Sequence, residues 1–151
     1  MSEAPFELAP AQRRALDELF ARATPGQSVV LQANDGNGKT TMLRAAHARM
    51  GGIWLDAADL QSNLSSKHPL AVEETFYDLV SRALDDNAVV FIDDVDLLFR
   101  MLEHSQSYPR NSLLPLGIKA LVARIAATGK TLIASGSMMF ESMGASVGSW
   151  D

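Results

Sequence analysis

No cysteine occurs in the 151 residues, which excludes disulfides, thiolate-bound zinc and thiol catalysis. No apolar run is long enough to cross a bilayer, and the opening Met1-Ser2-Glu3-Ala4-Pro5 lacks the basic-then-apolar pattern of a secretion signal. No membrane insertion is therefore expected, and a cytoplasmic protein is the default. Lysine and arginine form no run, and the formal net charge is −5, which argues against nucleic acid as the main partner. The histidines His47, His68 and His104 stand far apart, without metal-ligand spacing, and read as surface or locally bonded residues. There is no internal repeat and no low-complexity segment.

What remains is an ordinary globular composition, 47% apolar and 21% charged, sized for one domain around one core. Pro10 opens a helix that places Leu16, Leu19, Phe20 and Ala23 on one face, and Thr24-Pro25-Gly26 ends it. Val29-Val30-Leu31 has the continuous apolar character of a strand buried on both faces. Lys39 to Met50 reads as a helix stopped by Gly51-Gly52, and Ile53-Trp54-Leu55 as a second strand. A helix near Pro69 sets Val72, Phe76, Leu79, Val80 and Ala83 at helical spacing, and Asp85-Asp86-Asn87 reads as a turn. Ala88–Ile92 is the strongest strand pattern. Val95 to Leu102 suggests a short helix and Glu103 to Asn111 a polar loop. Another helix starts at Pro115, with Leu116, Ala120, Val122 or Ala123, and Ala126 expected inward and Gly129 as its cap. Thr131–Ala134 is a fourth strand, and the stretch from Gly136 has no clear period. Alternation of strands and helices predicts an α/β fold with a parallel sheet and helices on both faces.

The segment Ala33-Asn34-Asp35-Gly36-Asn37-Gly38-Lys39-Thr40 matches the phosphate-binding pattern G-x-x-x-x-G-K-[ST] except at Ala33. In such a loop, backbone N–H groups surround nucleotide phosphates and the following helix directs its positive end at the anion. Lys39 would reach the terminal phosphates, Thr40 would ligate Mg²⁺, and Asn34, Asp35, Gly36, Asn37, Gly38 and Thr41 complete the candidate cradle. An ordinary Gly/Asn/Asp turn is the plainer reading of the loop, but a turn does not require Lys-Thr after the second glycine. Asp93, at the end of the strongest strand, is the candidate second Mg²⁺ ligand. Asp94 beside it is a candidate base or orienter for the attacking water. Either acid could instead cap a following helix. Asp94 and Lys39 are thus the candidate catalytic residues, and a nucleotide and Mg²⁺ the expected cofactors. All these groups, with Ser135-Gly136-Ser137, fall at the carboxyl ends of strands, where open α/β sheets bind ligands.

Ala33–Thr41 together with Val90-Phe91-Ile92-Asp93-Asp94-Val95-Asp96 resembles the AAA+ ATPases, in which a phosphate loop is followed by an apolar strand ending in Asp-Glu. The resemblance implies a three-layer P-loop fold with about four recognisable strands here. It implies an N-terminal helix and lead-in over residues 1–27, a core over 28–135, and a tail over 136–151. It also implies ATP binding with Mg²⁺-dependent hydrolysis, and a homo- or hetero-oligomer or protein partner. Ser137 best matches the family's first sensor position, with Ser135 beside it, although turn chemistry also accounts for both serines. Lys67-His68, within Asn63–Pro69, lies where a pore loop would fall.

The departures from the family pattern are specific. Ala33 replaces the first loop glycine, and Asp94 replaces the usual glutamate. Val147-Gly148-Ser149-Trp150-Asp151 stands where an arginine finger would, and no Lys or Arg follows Lys130. Neither the lid domain nor the fifth strand beside Val29–Leu31 is recognisable, so that strand is expected on a sheet edge. The chain is expected to be a natural truncation or one piece of a larger assembly. Two other function classes follow from these departures: a nucleotide-binding regulatory or structural module with little hydrolysis, and a small P-loop metabolite kinase, for which the usual arginine-rich lid is missing.

Overall fold

The computed structural model describes residues 8–32, 38–56, 58–59, 62, 72–94, 113–136 and 145–147. Along the chain these form α1 (Pro10–Arg22), β1 (Ser28–Gln32), α2 (Lys39–Met50), β2 (Ile53–Leu55), α3 (Val72–Asp86), β3 (Val89–Ile92), α4 (Leu113–Thr128), β4 (Thr131–Gly136) and β5 (Ala145–Val147). The five strands make one sheet in the order β2-β3-β4-β1-β5, and every pairing is parallel.

Period-two alternation divides the strand residues between two cores. Val30, Leu55, Val90, Ile92, Leu132 and Ala134 pack with Phe76, Val80 and Leu84 of α3 and Ile118, Leu121 and Ile125 of α4. Val29, Leu31, Phe91 and Ile133 turn the other way, onto Ala15 and Leu19 of α1 and Met42, Leu43 and Ala46 of α2. With both faces covered, a strand needs no polar face, which is why β1, β3 and β4 read as unbroken apolar runs. Each large aliphatic side chain so buried contributes about 1.5–3 kcal/mol.

The four expected strands are present, as are the expected helices that fall on described residues. α3 continues through Asp86, so the turn expected at residues 85–87 is confined to its end. α4 starts at Leu113 rather than Pro115. Its inward face also differs. Ile118, Leu121 and Ile125 are buried and Val122, one of the two alternatives expected inward, packs partly buried against the core, whereas Ala120, Ala123 and Ala126 are exposed. The helix is apolar on several sides, so alanines give no phase. The long aliphatic side chains take the inside because they remove more surface from water. Gly129 caps the helix as expected, with φ +71° and its N–H donating to Ile125 O at 3.0 Å.

The larger correction concerns the sheet edge. A fifth strand exists: Ala145–Val147 pairs with Val29, Val30 and Leu31. β1 is therefore interior, flanked by β4 and β5. Three residues of Ala-Ser-Val in a Gly- and Ser-rich stretch carry no periodicity of their own. Their strand state comes from pairing. The short helix expected at Val95–Leu102, the polar loop Glu103–Asn111, the Asn63–Pro69 loop, His68 and His104 lie outside the described residues.

Candidate functional site

Parallel pairing brings three distant segments to one place. Ile92 of β3 lies beside Ala134 of β4. The next residues, Asp93 and Ser135, extend that register. Phe91 and Ile133 face the α1/α2 side, so alternation sends Asp93 and Ser135 to that side as well, beneath the start of α2. The Asp93 N–H donates to Leu55 O at 3.0 Å and holds the main chain of Asp93 in the sheet.

α2 begins at Lys39 because Gly38 supplies the turn into it. Gly38 is the N-cap, in the left-handed region at φ +80°. A Cβ there would also approach Gln12 Nε2 to 2.8 Å. Gln12 belongs to α1, and its Oε1 accepts the Ala9 N–H at 2.9 Å. One side chain thus caps α1 and abuts the end of the phosphate-loop segment. Nothing in the sequence pattern pointed to Gln12.

The geometry of the polar groups is compact. Thr40 Oγ1 lies 3.1 Å from both Asp93 Oδ1 and Oδ2. Ser135 Oγ donates to Asp93 Oδ1 at 2.8 Å and accepts the Asp94 N–H at 2.8 Å. Asp94 has φ +54° and is the one non-glycine residue with positive φ among the described residues. Asp tolerates this region better than most residues. Gly38, Lys39, Thr40, Thr41, Asp93, Asp94 and Ser135 line a cavity of about 230 Å³. Its chemistry is one ammonium, two carboxylates, three hydroxyls and the positive end of a helix, whose first-turn N–H groups have no intrahelical acceptors. Such a site suits an anion accompanied by a hard cation. The hydroxyl of Thr40 and the carboxylate of Asp93 are oxygen donors of the kind Mg²⁺ takes.

Six of the expected site residues, Gly38, Lys39, Thr40, Thr41, Asp93 and Asp94, therefore share one cavity. Asn34, Asp35, Gly36, Asn37 and Ser137 lie outside the described residues. Ser135 was the less favoured of the two serines in the sequence, yet it is fully buried and bonded to both aspartates. Its alternation from Ile133 was the available signal. His47 is locally bonded, with Nε2 3.0 Å from Gly52 O and its ring edge-on to Phe91. Trp54 packs beneath Arg44, whose guanidinium carbon is 4.4 Å from the ring centre.

The sequence profile of the ATPase family associated with various cellular activities (AAA) matches residues 29–116, more than half of the chain. The chain belongs to the AAA family. The matched span of this AAA core runs from the strand before the phosphate loop, through both aspartates, into α4. No curated protein matches the sequence significantly. Among solved structures, a DNA replication initiation factor is similar at a TM-score of 0.55 and 15% identity, over 89% of this chain and 40% of that one. The replication initiator DnaA bound to AMPPCP and single-stranded DNA is similar at 0.54 and 14% identity, over 88% of this chain and 40% of that one. These likenesses concern the fold. The chain spans well under half the length of either structure. No helix among the described residues is long and apolar enough to cross a membrane.

Proposed function

We propose that this AAA core binds ATP together with Mg²⁺ and hydrolyses it. The observation that carries the reading is the meeting of Thr40, Asp93 and Ser135 at the N-terminus of α2. Lys39 and the α2 N-terminus bind the phosphates, with Asn34–Asn37 of the loop supplying backbone donors. Thr40 and Asp93 hold Mg²⁺, which neutralises phosphate charge when bound. Asp94 lines the same cavity and takes or orients the proton of the attacking water. Ser137 is a further candidate contact to the terminal phosphate. Support for a nucleotide comes also from the AMPPCP-bound neighbour. Its single-stranded DNA does not carry over readily, since this chain has a net charge of −5. A low-salt titration with a labelled oligonucleotide checks that point, and no binding is expected.

A module that binds nucleotide without turning it over is the second reading. It is favoured by Asp94, one methylene shorter than glutamate and therefore more demanding of position. ATP binding and turnover measured on the wild type, Lys39→Ala and Asp94→Asn separate the two. Loss of binding in Lys39→Ala and loss of turnover alone in Asp94→Asn are expected. Equal turnover in wild type and Asp94→Asn would leave the module reading, and binding indifferent to Lys39→Ala would remove both.

A further inference from the structure

We infer that Ser135 is a positioning residue that fixes the Asp93 carboxylate for Mg²⁺ and ties the Asp94 main chain to it. The inference rests on the Mg²⁺ site of the preceding reading and adds a residue to it.

The directions of the two hydrogen bonds are forced. A carboxylate only accepts and a backbone N–H only donates. The single proton of the Ser135 hydroxyl therefore goes to Asp93 Oδ1, 2.8 Å away, and one of its lone pairs receives the Asp94 N–H, also at 2.8 Å. No proton remains for a phosphate oxygen. Ser135 thus does not sense the terminal phosphate while these bonds stand. It acts one step back, on the group that holds the metal.

The division of labour on Asp93 follows. Oδ1 accepts from both Ser135 and Thr40, while among the described residues Oδ2 accepts from Thr40 alone. Ser135 is fully buried in a strand whose other residues include Leu132, Ile133 and Ala134. A hydroxyl there is costly unless bonded, and its partners are the Asp93 carboxylate and the Asp94 N–H. It anchors one carboxylate oxygen from β4. A carboxylate tethered in this way loses little rotational freedom on taking a cation. Such supporting bonds are worth about 10–100-fold in metal affinity where they have been removed.

The second bond has its own effect. The positive φ of Asp94 is an unfavourable backbone conformation for a non-glycine residue. The Ser135 hydroxyl rewards it by accepting that residue's N–H. One hydroxyl thereby couples the metal-holding acid to the water-handling acid.

The test uses the full chain and a fluorescent ATP analogue, titrated with EDTA present and at a series of Mg²⁺ concentrations. Ser135→Ala should bind the analogue as the wild type does in EDTA, yet need about tenfold more Mg²⁺ for the half-maximal gain in affinity. Ser135→Cys, similar in size with a weaker donor, should fall between, and keeps the test available if the alanine variant melts early. Ser135→Thr, which retains a hydroxyl, should restore the wild-type Mg²⁺ requirement. Coincident Mg²⁺ curves for wild type and Ser135→Ala would overturn the inference alone. So would an equal loss of affinity with and without Mg²⁺, the mark of a purely structural serine. A wild type whose nucleotide binding gains nothing from Mg²⁺ would overturn the metal site and this inference together.

Discussion

The two faces of the sheet differ in what happens at their carboxyl ends. Toward α3 and α4, β3 and β4 stay apolar to their last mutual pair, Ile92 and Ala134, both still in the core. Toward α1 and α2, the same strands run Phe91 to Asp93 and Ile133 to Ser135, passing from core to site in two residues. One face is packing throughout. The other is packing at one end and chemistry at the other. The difference shows how a single-residue offset in a pleated strand assigns neighbouring positions to separate tasks.

That contrast can be broken in graded ways. On the site face, Asp94→Asn should lower ATP turnover by about 10²–10⁴-fold while leaving affinity for a fluorescent ATP analogue within about twofold. On the packing face, Ile125→Ala removes a side chain with no exposure and should cost about 2–5 kcal/mol in urea unfolding, with unchanged nucleotide affinity per folded molecule. A large loss of affinity there would mean that the faces are not independent. Lys39→Ala should weaken nucleotide binding by about 1.5–3 kcal/mol, the range of a hydrogen bond to a charged group, with little change in melting. Gly38→Ala tests the junction, because its new Cβ meets Gln12 at positive φ. A loss of about 1–2 kcal/mol is expected, partly relieved by combining it with Gln12→Ala. Arg124→Ala, which removes the ion pair with exposed Asp85 between α3 and α4, should cost less than about 1 kcal/mol.

How far the sequence foretold these arrangements varies by element. β1, β3 and β4 announce themselves because a strand covered on both sides has no reason to be polar. The bounds of α2 are equally plain, with Gly38 before Lys39 and Gly51-Gly52 after Met50. β5 could not be found this way. Its three residues owe their conformation to β1, a partner far away in the sequence. The phase of α4 was obscured because alanine and large aliphatic residues score alike as apolar but do not compete equally for the interior. At the site, residue type and spacing picked out Lys39, Thr40, Asp93 and Asp94. Ser135 required knowing on which face Ile133 lay, and Gln12 required knowing that α1 passes beside Gly38. Both depend on tertiary contact rather than on local pattern.

The position of β1 has a consequence for when this site can exist. β1 is the first of the described strands, yet its two partners, β4 and β5, begin more than a hundred positions later. Such non-local pairing closes slowly, because the entropy of a long loop is lost before the contacts are gained. During synthesis, the strand that leads into the phosphate loop must wait for more than a hundred further residues. Thr40, Asp93 and Ser135 come from segments that only the finished sheet aligns. A nucleotide that binds there selects completed molecules over partly folded ones and shifts the folding equilibrium toward them by mass action.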